Sequence, residues 1–155
     1  MKTSLNFLSS LIGNIYKPCL IAFYTLLITA CTGNMPNNLG VNNHLLQSCP
    51  NSPNCVSSFE IDDVHSIDPI LFSDDKNLIE KELLSLIKQH SNMHLVQHTG
   101  RYIYAQFTSD IMGFVDDMEF LVEDKKVQVR SASRLGYSDL GANRTHIEVI
   151  RKNLK

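Results

Sequence analysis

The sequence predicts an α+β domain: an antiparallel meander of about four strands packed against two helices, with a disulfide-stapled loop ahead of them. Three patterns carry this expectation. An apolar stripe recurs at helical spacing over about residues 75–90, four strand-like runs follow one another between residues 93 and 133, and a second helical stripe ends at Leu154. The chain has 155 residues, 43% of them apolar and 8% aromatic, which is enough to build the core of one ordinary domain.

The first thirty residues stand apart. Lys2 and Lys17 are their only charges, and the apolar run from Cys19 to Thr29 is eleven residues long. A helix spanning a bilayer needs about 20 residues, so this is the length of a signal peptide. Ile28, Thr29, Ala30 and Cys31 resemble the lipobox of bacterial lipoproteins. The resemblance implies diacylglycerol on the Cys31 thiol, cleavage after Ala30 and acylation of the new amino terminus. Because Thr32 rather than an aspartate follows, it also implies a place on the periplasmic face of the outer membrane. Several acyl chains, each methylene adding about 0.8 kcal/mol, would make the attachment permanent. An uncleaved anchor helix beginning near Leu5 is the competing reading. The expected organisation is therefore a lipoprotein signal peptide over 1–30, a flexible tether over 31–48 and a globular domain over 49–155.

Past the leader, Gly33 to Gly40 is rich in Asn and Gly and has no apolar period, hence the tether. In Cys49-Pro50-Asn51-Ser52-Pro53-Asn54-Cys55 the prolines and asparagines force turns between two thiols, and a disulfide between Cys49 and Cys55 follows in an oxidising compartment. So short a loop gains about 2 kcal/mol from closure. Zinc is the alternative, but His44 and His65 lie at no recognised ligand spacing, and no metal or other cofactor is expected. Glu60 to Asp75 holds six acids and no lysine or arginine, a connector with one short strand.

Asp74 and Asp75 suit a helix amino terminus, and Leu78, Ile79, Leu83, Leu86, Ile87 and His90 share one face of the helix that follows. Strands are expected over 93–98, 101–108, 114–122 and 127–133, with tight turns at Thr99-Gly100 and Asp124-Lys125. A last helix begins near Asn143 as its cap and presents Ile147, Ile150 and Leu154.

Three blocks, Cys49 to Ser58, Gly113 to Phe120 and Arg130 to Arg144, resemble those of the DUF1499 family over nearly all of the chain after the tether. That family is one of unknown role, and the resemblance implies an extracytoplasmic or lumenal setting rather than a reaction. Function must then come from the residues. Alternation along 114–122 puts Phe114, Asp116, Met118, Phe120 and Val122 on the core face, so Asp116 needs a partner, with Arg134 or Arg144 the candidates. Arg130 points the other way, toward Asp117 or Glu119. With Tyr137, Asp139 and Asn143 these residues form a polar cluster, either structural or a ligand site.

Lys125 to Lys155 carries eight basic residues against Asp139 and Glu148. That segment suits an anion or the chain's own acidic connector, and internal docking is favoured. After the leader the net charge is −4, which disfavours nucleic acid. No Gly-x-Ser-x-Gly elbow frames Ser131, Ser133 or Ser138, and no catalytic residue is assigned. The expected function is a membrane-anchored, non-enzymatic envelope lipoprotein whose domain binds a small anionic or amphipathic ligand or an envelope protein. The alternative is an enzyme on an envelope substrate, with Asp116, Tyr137 and Asp139 as acid and base groups.

Overall fold

The computed structural model describes residues 33–154, so the signal peptide and the lipidation site at Cys31 lie outside the described residues. Its backbone is the expected α+β arrangement, but eight strands replace the four-stranded meander. The meander itself is there: β5 (Met93–Thr99), β6 (Tyr102–Thr108), β7 (Val115–Val122) and β8 (Lys126–Ser133) pair in sequence, all antiparallel. Gly100 turns β5 into β6 with φ +56°, and Lys125 turns β7 into β8 with φ +68°, so the two short turns fall where the dipeptides predict.

The one short strand expected in the acidic connector is present at Ile70–Leu71, but its place and that of a second short strand, on the far side of β8, escape the period-two pattern. There β3 (Cys55–Ser57) pairs with Arg130 to Ala132, and β4 (Ile70–Leu71) pairs with Lys126 and Val127, completing a six-stranded sheet. Two or three residues are too few to display alternation. They still cover what would otherwise be an open edge. The Cys49–Cys55 disulfide closes the loop leading into β3.

The segment read as a tether carries β1 (Val41–Asn42) and β2 (Leu45–Leu46), a two-stranded hairpin whose Leu46 is buried. It packs on the domain rather than trailing free, at Gly33 against Arg134 and Leu135 and at Leu39 and Leu46 against the sheet.

Both helices lie on one sheet face. α1 (Lys76–Gln89) is capped by Asp75, whose carboxylate accepts from Asn77 N at 2.8 Å, and it buries Ile79, Leu83 and Ile87. α2 (Ala142–Asn153) buries Ile147 and Ile150, with Leu154 just beyond. Their partners are Ile103, Ala105, Met118, Phe120, Val122, Val127 and Val129, one continuous apolar core.

The start of α2 corrects the sequence reading. The cap position is Gly141, with φ +83°, and the capping carboxylate belongs to Asp139, which accepts from Gly141 N at 3.1 Å and Asn143 N at 2.7 Å. Asn143 is inside the helix and fully buried. Its side chain joins three elements by donating to the Asn54 carbonyl and the Ser133 hydroxyl and accepting from Ser131.

The opposite sheet face is polar, yet equally buried. Glu119 accepts from Arg130 Nη1 and Tyr102 Oη, both at 2.8 Å, and from Gly40 N at 2.6 Å. Asp117 receives the Arg134 guanidinium through Nε at 2.9 Å and Nη2 at 2.7 Å, together with the Tyr104 hydroxyl. The side chains of Arg130 and Glu119 are 2% and 0% exposed, so removing either partner alone would strand a buried charge at a cost of about 3–5 kcal/mol. Leu39, Leu46 and Phe59 seal this face against Tyr102, Tyr104 and Leu121. Among the described residues no helix is long and apolar enough to cross a membrane.

Candidate ligand pocket

The polar cluster expected from sequence does not assemble as one site. Strand alternation sends Asp117 and Asp116 to opposite faces, and Arg130 and Arg134 are consumed by Glu119 and Asp117 on the face away from the helices. Arg144 is on α2, where its guanidinium donates to the Val64 carbonyl at 3.3 Å and the Ser66 carbonyl at 2.8 Å. Arg151 likewise donates to the carbonyls of Pro69 and Asp68. The basic carboxy-terminal segment thus docks on the acidic connector through backbone oxygens, not through its carboxylates. Tyr137 is 75% exposed on the loop before α2. Asp139 has both carboxylate oxygens engaged at the helix cap, which removes it from the acid–base set with Asp116 and Tyr137.

Neither candidate arginine reaches Asp116. The side chain facing it is His146 on α2, with Nδ1 3.4 Å from the carboxylate Oδ2. The reason is geometric: Arg134 continues on the far side of the sheet, whereas α2 crosses the near side and brings His146 over the β7 end. The imidazole is stacked on Phe107, ring centroids 3.9 Å apart at an interplanar angle of 31°, and His90 packs on the same phenyl ring at 5.8 Å. Stacking fixes the ring, and at this angle His146 Nδ1 is buried with no hydrogen-bond partner among the described residues.

Burial pushes the Asp116 carboxyl above the ordinary carboxylate range, against the Ser133 hydroxyl and His146, which both favour its charged form. Burial also pulls His146 below its ordinary value, against the attraction of Asp116 and Asp139. Desolvation therefore dominates at both groups, and each is biased toward its neutral form.

Above this pair opens a pocket of about 340 Å³. Asp116, Ser133 and His146, with Ser109, Ser138 and Asp139 at the loops, contribute its polar groups, and Phe107, Phe114, Leu135, Leu140 and Ala142 its apolar walls. A largely apolar concavity with a few convergent polar groups and perturbed titrations is the usual form of a small-molecule site. A wider groove of about 500 Å³ lies between residues 35–41 and Gln97, Thr99, Tyr102 and Tyr104, but it is more open, and its tyrosine hydroxyls are already bound to Glu119 and Asp117.

His146 stands outside the cluster expected from sequence. A signal for it is present: Asn143, His146, Ile147 and Ile150 stand at i, i+3, i+4 and i+7, so the histidine belongs to the same inward stripe as the two isoleucines. Phe107 carries no such signal, because alternation makes it one more inward residue of β6.

A family model described as protein of unknown function (DUF1499) matches residues 45–154. That span runs from β2 to the end of α2 and contains every residue lining the pocket. No curated protein and no solved structure matches the chain.

Proposed function

We propose, for a chain that belongs to the DUF1499 family, that it works as a membrane-anchored envelope lipoprotein whose domain binds one small amphipathic molecule in the pocket above Asp116 and His146. One observation carries the binding role: a mostly apolar pocket is lined by Asp116 and by His146, an imidazole whose buried Nδ1 makes no hydrogen bond among the described residues. Leaving such a nitrogen unpaired costs about 1–3 kcal/mol, which a ligand that lets the ring complete its bonding would recover. The lipobox-like sequence before Cys31 supports the anchor, and the Cys49–Cys55 disulfide suits an oxidising compartment.

The pocket's chemistry restricts the ligand's polar end. A carboxylate there would face Asp116 and Asp139, and the arginines that would receive an anion are committed elsewhere. A hydroxyl or amide can donate or accept, so it suits either tautomer of a neutral imidazole. The ligand is therefore an uncharged head on an apolar body, not the anion that the basic segment first suggests.

Titrating octanol and octanoate into protein with isotope-labelled histidines tests this. Octanol should give a saturable shift of the His146 ring nitrogens, octanoate a much weaker one, and Ala142→Leu, which fills the pocket, should weaken the octanol response at least tenfold. No saturable shift at His146 with either compound would contradict the reading. Catalysis at the same pocket is the second reading, favoured by the neutral imidazole beside a carboxylate. An altered compound recovered after incubation with an envelope extract would favour it.

A further inference from the structure

Two loops make the mouth of the pocket, and both display apolar side chains to solvent. The first joins β6 to β7 and is closed by hydrogen bonds between Ser109 and Phe114 and between Gly113 and Ser109. It exposes Met112 and Phe114, and Ile111 is 93% exposed. The second joins β8 to α2 and exposes Leu135 and Tyr137, and Leu140 is 97% exposed. Leu140 sits at φ +55°, a conformation that a leucine rarely takes, and here it holds the side chain outward. The bond from Arg134 N to the Val115 carbonyl sets the two loops side by side at one end of the sheet. Scattered exposed apolar residues need no explanation, but six of them on two adjacent loops, three of which line the pocket, mark a contact surface.

The chain itself says what that surface meets. Gly33 is packed so tightly on this end that a Cβ on it would lie 2.8 Å from the Arg134 Cβ and 3.2 Å from the Leu135 Cγ. Cys31 precedes Gly33 by two residues in sequence, a chain length of at most about 7 Å, and Gly33 lies against Leu135, which lines the pocket. A domain held by lipid at that point has its apolar rim brought to the bilayer.

We infer that the loops at residues 109–114 and 134–141 lie in the membrane interface, with the pocket opening toward the lipid phase so that an amphipathic ligand passes between bilayer and pocket without crossing water. This rests on the lipid-anchor reading of Cys31. The two loops contain no lysine; their one arginine, Arg134, is committed to Asp117, and their two acids, Asp110 and Asp139, accept from Asn92 and from the first amides of α2. The contact is thus apolar, and its depth does not depend on anionic lipid.

The sequence contains no tryptophan, so a single introduced one is a clean reporter. Ile111→Trp and Leu140→Trp would report from the rim. Leu71→Trp, in the β4 segment beside the β7–β8 turn at the other end of the sheet and 74% exposed, is the control. The full chain, processed in cells and reconstituted into phosphatidylcholine vesicles with and without phosphatidylglycerol, is floated and then challenged with brominated lipid and with aqueous iodide. The expected result is flotation, quenching of the indole in the Ile111→Trp and Leu140→Trp variants by brominated lipid and not by iodide in both vesicle types, and the reverse in Leu71→Trp. Flotation with the rim as iodide-accessible as position 71 overturns the orientation and leaves the anchor standing. Flotation with the rim shielded from both quenchers means that a protein surface covers it, which also overturns the inference. Wild-type protein that does not float overturns both the anchor reading and this one.

Discussion

Asp116 and Asp117 are neighbours in sequence and sit in different chemical surroundings. Asp117 is held by a guanidinium and a tyrosine hydroxyl, a charged group matched by charge; Asp116 faces a stacked imidazole across 3.4 Å in a mostly apolar pocket. Alternation along β7 makes the inward turn of Asp116 readable from sequence. Its partner is not readable, because a strand's period says which face a residue is on and nothing about which helical turn will lie above it. The His146 environment makes a pH prediction. Its native pKa is lowered, so below 6.5 the unfolded chain takes up a proton that the native imidazole resists, and stability falls as the pH drops. Asp116, with its raised native pKa, opposes this at lower pH, since the native carboxyl gains its proton first. His146→Phe keeps the stack on Phe107 and deletes the titration. Urea unfolding at about pH 7.5 and about pH 5.5 should show a smaller loss on acidification in the variant than in the wild type. Equal losses would mean that His146 titrates normally.

The long elements follow their sequence patterns closely, and the short ones do not. α1 and the four meander strands each have enough residues for period 3.6 or period 2 to emerge, and their ends fall within a residue or two of expectation. β3 exists because β8 offers an edge, a fact settled by tertiary pairing alone, and β4, expected only as a short strand somewhere in the connector, takes its place by the same pairing. The β1–β2 hairpin lies in an Asn-rich stretch whose composition suggests freedom; Leu39 and Leu46 fasten it to the tyrosines of the polar face. At α2 residue type alone misleads: Asn143 is a good cap by type, but Asp139 stands where a carboxylate reaches the first amides. The distinction has a measurable consequence. An Asn143→Ala change at an exposed cap would cost about 1 kcal/mol, whereas here it strands the buried Ser131 hydroxyl and removes one bond each from the Ser133 hydroxyl and the Asn54 carbonyl, which keeps Ser133 N as a donor. Denaturant unfolding should show a loss of about 1–3 kcal/mol for the stranded hydroxyl, in addition to the two lost bonds, and so beyond a cap effect. A loss below about 0.5 kcal/mol would show that water replaces the amide.

Across the whole domain, the two faces of one sheet are buried by different means. The helices bury one face with aliphatic side chains, and the segment from Leu39 to Phe59 buries the other over a ladder of ion pairs. The charge asymmetry is legible in the sequence and points to an internal dock, but the oxygens that receive Arg144 and Arg151 are carbonyls, to which sequence charge is blind. With the arginines committed, the groups left facing solvent at one end are apolar loops around a pocket with a neutral-biased polar floor. On the proposed reading that arrangement suits an uncharged amphipathic ligand, and a lipid anchor on Cys31 would make the bilayer its source. The measurement that reaches this claim most directly is the mass of the protein isolated under non-denaturing conditions from the cells that make it. The account predicts a population carrying one additional small amphipathic molecule, absent from Ala142→Leu protein prepared alongside. Bare protein alone, or an adduct retained equally by the pocket-filled variant, would contradict it.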